Sequence, residues 1–151
     1  MILVDYSQVC IANIMQFPED MKKAGNTPEA TNIIRHAILM GLKSYRKQFS
    51  KYGKMSICCD GGKYWRKETF PQYKGKRKTN RDSSDFDWEL IFSTMDELRL
   101  DLMNHFPYKV LQVEGAEADD IIGVLCKYTQ THGLIDYGVF EEKEPVMIFG
   151  V

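Results

Sequence analysis

Four short apolar runs alternate with longer stretches in which apolar residues recur every three or four positions. The runs at 2–5, 54–60, 108–113 and 146–149 are rich in Ile, Val, Leu, Met and Cys and read as strands. Between them, Ile33, Ile34, Ala37, Ile38, Gly41, Leu42 and Tyr45 share one helical face. Trp88, Ile91, Phe92, Met95, Leu98 and Leu102 form a second such face, and Ile121, Ile122, Leu125 and Tyr128 a third. Thr27-Pro28-Glu29 is a strong helix start, and Gly53 suits its end. A shorter helix is expected around 9–15. Ser83, Ser84 and Asp85 offer caps for the helix that Pro107 ends, and a polar loop is expected after Gly133. The order β-α-β-(insert)-α-β-α-β predicts an α/β fold, a mostly parallel sheet flanked by helices. The last strand has no helix after it, so the chain reads as C-terminally incomplete, the front part of a longer architecture.

Composition adds limits. The 151 residues suffice for one domain with its own core. With 44% apolar and 27% charged residues the chain reads as globular, and no apolar run approaches the roughly 20 residues of a membrane span. A cytoplasmic location without membrane contact is expected. Cys10, Cys58, Cys59 and Cys126 form no C-x-x-C pair and the three histidines are scattered, which argues against a zinc site. Cys58 and Cys59 read as small residues of a reduced interior.

Charge changes the picture more. The net charge is −1, yet residues 63–81 hold eight basic side chains and one acid, a local +7 on a body of −8. Such a segment is either a solvated loop or a grip for a polyanion. It follows directly on Asp60 and the chain break at Gly61-Gly62.

The acids are the chemistry. Two predicted strands end on Asp5 and Asp60, and the helix after the third opens with Glu117, Asp119 and Asp120. Parallel strands share their carboxyl edge, where ligands bind. Five carboxylates are therefore expected to converge, a repulsive cluster suited to a hard divalent cation. Each acid also has an ordinary reading: Asp5 as a cap, Asp60 as a turn residue, the others as acids favoured by a helix dipole. Acids at all three strand-to-helix junctions are what favours the metal. Such a cation activates water and neutralises phosphate oxygens. Basic residues of the insert would grip phosphates while Trp65 or Tyr73 stacks on bases, which is the equipment of phosphodiester hydrolysis. Other metal-carboxylate chemistries fit less well. Asp5 lacks the second aspartate two residues on that a haloacid-dehalogenase phosphatase needs. A receiver domain would pair its acids at the first strand, and Gly61-Gly62-Lys63 lacks P-loop spacing.

Leu3-Val-Asp-Tyr-Ser-Gln8, Cys59-Asp-Gly-Gly62, Tyr64-Trp-Arg66, Gln72-Tyr-Lys-Gly-Lys-Arg77 and Glu117-Ala-Asp-Asp-Ile121 together resemble the 5′-nuclease family. That family comprises flap endonucleases and the 5′-exonuclease domains of polymerases, and the chain is most similar to its phage members with RNase H activity. The resemblance implies a PIN-like, 5′-nuclease core with a basic helical-arch insert at about 63–85. It implies a magnesium-dependent 5′-to-3′ exonuclease or flap endonuclease, with manganese as an alternative ion, removing RNA primers and 5′ flaps in phage DNA replication. Asp5, Asp60, Glu117, Asp119 and Asp120 would form the metal shell. Lys74 and Arg77 would act at the scissile phosphate, and Arg66, Tyr73, Lys76 and Lys78 would bind nucleic acid. The implied partners are DNA or an RNA–DNA hybrid with a 5′ end or flap, a phage single-stranded-DNA-binding protein and a sliding clamp, in the host cytoplasm. The motif that supplies a second metal and the helix-turn-helix region of the family are not found by residue 151. A catalytically incomplete DNA-binding fragment and a small PIN-type ribonuclease are the alternative readings.

Overall fold

The computed structural model describes residues 1–63, 65–73, 75, 81, 84–132, 134–136, 139–141 and 146–148. Strand β1 (Ile2–Asp5) runs into α1 (Tyr6–Ile14), followed by α2 (Pro18–Ala24) and α3 (Pro28–Gln48). A 3₁₀ turn (Ser50–Tyr52) and Gly53, at φ 94°, deliver the chain to β2 (Met55–Cys59). Then come α4 (Trp65–Thr69), α5 (Trp88–His105), β3 (Lys109–Gln112) and α6 (Ala118–His132). Strands β4 (Leu134–Asp136), β5 (Val139–Glu141) and β6 (Val146–Ile148) complete the described elements.

The main sheet has the order β3-β2-β1-β6, and each neighbouring pair is parallel. β1 is buried along its length, as is β2. Their side chains alternate between two cores, as a period of two demands. Ile2, Val4, Met55, Ile57 and Cys59 join Val9, Ile34, Ile38, Leu42, Ile91, Leu98 and Leu102 on the face covered by α1, α3 and α5. Leu3 and Cys58 point the other way, to Ala118, Ile121 and Ile122 of α6. The result is a three-layer sandwich with β1 central.

All the apolar positions assigned to the α3 and α5 faces are buried or packed against the first core. Burial pushes the Cys58 and Cys59 thiols up to about 12, as expected of small interior residues.

Several sequence expectations are corrected. The short, mostly charged stretch at 18–24, opened by Pro18 and two acids, forms α2, which periodicity alone does not reveal. The cap of α5 is Asp87, whose carboxylate accepts from the Leu90 amide at 2.9 Å, two residues beyond the cluster chosen from sequence. Tyr128 is 41% exposed, and Thr129 takes the buried position on that turn of α6. The polar loop after Gly133 contains an antiparallel pair, β4 with β5. Three residues per strand are too few to show a period. No helix among the described residues is long and apolar enough to cross a membrane.

Candidate active site

The carboxyl edge of the sheet is where β1, β2 and β3 hand over to loops. In the order β3-β2-β1-β6 the chain fills one side of β1 and later the other, so the end of β1 is the topological switch point. Asp5 stands there, 5% exposed. It caps α1, accepting from the Gln8 amide at 3.0 Å. Burial pushes its carboxyl above the usual range, and the charges of Asp60 and Asp119 add to that against the Gln8 bond.

Asp60 follows β2. One carboxylate oxygen accepts from Ser7 Oγ and the other from the Ala118 amide, each at 3.0 Å. Asp60 therefore ties the first turn of α1 to the first turn of α6, where the helix dipole favours its charge. Its carbonyl accepts from Gln112 Nε2 at 2.7 Å, and Gln112 Oε1 accepts from Arg99 at 3.1 Å. Gly61 is required by contact: a Cβ there would lie 1.8 Å from the Val113 carbonyl oxygen. Its amide donates to Ala116, and the Trp65 amide donates to Gly115, so the loops after β2 and β3 interlock.

Helix α6 begins with Glu117 (1% exposed) at its mouth. Asp120 closes a capping box by accepting from the Glu117 amide at 3.0 Å. Against this turn lies α4. Arg66 grips Asp120 through both guanidinium nitrogens, at 2.8 and 2.6 Å, and reaches Glu117 at 2.6 Å. Tyr73 Oη donates to Glu117 at 3.0 Å and Trp65 Nε1 to Asp120 at 3.3 Å. The Arg66 bonds hold the Asp120 carboxyl below its ordinary value, and Asp120 in turn raises Arg66.

The five sequence-selected acids thus fall into two groups. The charges of Asp60 and Asp119 bear on the buried Asp5. Glu117 and Asp120 face Arg66. Among the described residues no three His, Cys, Asp or Glu side chains form a group that could hold a metal ion. The all-oxygen donor chemistry fits a hard divalent cation, and the buried, repelled Asp5 carboxyl gives it something to neutralise. Arg66 and Tyr73, expected at nucleic acid, bond to the acids in this structure. Lys74, Lys76, Arg77 and Lys78 lie outside the described residues. Sequence reasoning missed Ser7, Gln112 and Arg99. Ser7, two residues after a strand-end aspartate, was the one with a usable signal.

Fold and site together define an α/β protein with an acidic carboxyl edge, faced by an arginine-bearing helix. Residues 1–139 match the family described as 5′-3′ exonuclease, N-terminal resolvase-like domain. The chain belongs to that family. It is 32% identical over 136 residues to Ribonuclease H of Enterobacteria phage T4, covering 87% of this chain and 43% of the relative. In fold it is similar to a phage T5 5′-exonuclease with divalent zinc ions bound (TM-score 0.59, 18% identity, 87% of this chain and 45% of that one). It is likewise similar to a phage T5 flap endonuclease in a pseudo-enzyme-product complex with DNA and metal ions (TM-score 0.60, 20% identity, 86% and 44%). The chain spans less than half the length of these relatives.

Proposed function

We propose that this chain carries part of the active site of a magnesium-dependent 5′-nuclease acting on DNA or an RNA–DNA hybrid with a 5′ end or flap. The observation that carries the reading is Asp5: a buried carboxylate at the switch point, opposed by Asp60 and Asp119 from the other two junctions. Family membership supports the same reaction class.

Asp5, Asp60 and Asp119, which do not form a ready-made metal-holding group in this structure, would be drawn together by the ion, with Glu117 and Asp120 in the same acidic shell. When bound, the ion supplies an activated water and neutralises charge on the phosphate. The chain's own residues prepare that site. Ser7 and the Ala118 amide fix the Asp60 carboxylate, and the Gln8 amide fixes Asp5. Lys74 and Arg77 would contact the scissile phosphate, with Lys76 and Lys78 on the flanking strand, because a local +7 beside an acidic edge attracts phosphate electrostatically.

A 5′-labelled flapped duplex incubated with the chain and magnesium or manganese tests this. The expected result is cation-dependent release of 5′ product, lost by at least about a hundredfold in Asp60→Asn and Asp119→Asn with unchanged circular dichroism. Cleavage at the wild-type level in both variants would overturn it. So would binding that weakens steeply with salt but yields no product with either ion, which instead favours a binding fragment.

A further inference from the structure

Asp120 is already engaged through both carboxylate oxygens. Its Oδ1 accepts from Arg66, and its Oδ2 accepts from Arg66, Trp65 Nε1 and the Glu117 amide. Glu117 Oε2 accepts from Arg66 and Tyr73. One guanidinium thus lies between two of the five acids, stacked 4.8 Å from the Trp65 ring centroid. A cation that draws on either carboxylate competes with these bonds, and its own charge repels the guanidinium at contact distance.

We propose that Arg66 is a resident counter-ion of the acidic edge, and that a divalent cation and Arg66 compete for Glu117 and Asp120. This rests on the metal reading above. Entry of the ion expels the guanidinium, and with it Trp65 and the hold of α4 on α6. Because α4 begins the basic segment, the ion thereby loosens the root of that segment. Linkage requires the converse. A phosphate that draws Arg66 away from Asp120 strengthens cation binding, so substrate and metal recruit each other.

Trp65, 51% exposed and bonded to Asp120, is a built-in reporter. Manganese or magnesium is titrated into the wild-type chain and into Arg66→Ala and Arg66→Lys, with binding followed by calorimetry and by tryptophan fluorescence. Trp65→Phe identifies the source of the signal. Arg66→Ala is expected to bind the ion roughly tenfold more tightly, within the range of ordinary site–site coupling, with Arg66→Lys between. In the wild type the Trp65 emission should change in step with calorimetric saturation. Equal or weaker binding by Arg66→Ala, with Trp65 emission unmoved by the ion, would overturn the competition while leaving the metal reading intact. No cation binding in any variant would overturn both.

Discussion

Asp5 combines two demands that pull in opposite directions. As the cap of α1 it stabilises the fold, and as a buried charge facing Asp60 and Asp119 it opposes it. Asparagine caps a helix as well as aspartate but carries no charge. Asp5→Asn should therefore raise the melting temperature by a few degrees while abolishing cleavage, the usual exchange of function for stability. The sign follows from the raised carboxyl. The folded state holds the proton to higher pH, so wild-type stability falls as pH rises from 3.8 through the raised value. The advantage of Asp5→Asn is thus full above that window and disappears as pH falls toward 3.8, which melts across the range will detect. All five acids were legible in the sequence because strand ends and first helical turns are local signals. The separate, arginine-bound state of Glu117 and Asp120 was not, because Arg66 meets Asp120 from 54 residues away.

Among the elements, α1 and α3 meet closely at a glycine. Gly41 of α3 faces Asn13 of α1, whose buried amide donates to the Val9 carbonyl at 2.7 Å. In an isolated helix Gly41→Ala would gain about 1 kcal/mol. Here the new methyl would lie 2.3 Å from Asn13 Oδ1. Overpacking costs about 1–3 kcal/mol, and displacing a buried amide from its partner costs a similar amount. The substitution should therefore destabilise by about 2 kcal/mol, read as a lower urea midpoint at unchanged slope. The long helices α3 and α5 were legible because each repeats its apolar face over several turns. Helix α2, with seven residues, and the β4–β5 pair, with three per strand, are shorter than the period needed to reveal them.

For the whole molecule, the parallel sheet sets both stability and the place of the chemistry. β1 and β2 are sealed on both faces, while β3 is an edge strand with exposed ends. Amides of β1 and β2 should exchange with solvent only through global unfolding, and those of β3 measurably sooner, as hydrogen-exchange mass spectrometry or NMR would read. The layer order followed from the alternation of strands and helices. The interlocked loops did not, since a glycine pair in a sequence marks a turn without saying what it touches. That interlock governs how the site responds to the rest of the protein. At Gly61 main chain rests directly on main chain, with no side chain between to act as a cushion. The gap from Asp60 to the start of α6 is consequently set by backbone packing and the hydrogen bond from the Gly61 amide to Ala116. Side chains elsewhere in the sandwich can repack with little effect on that spacing, and the acidic edge inherits the stiffness of two backbones in contact.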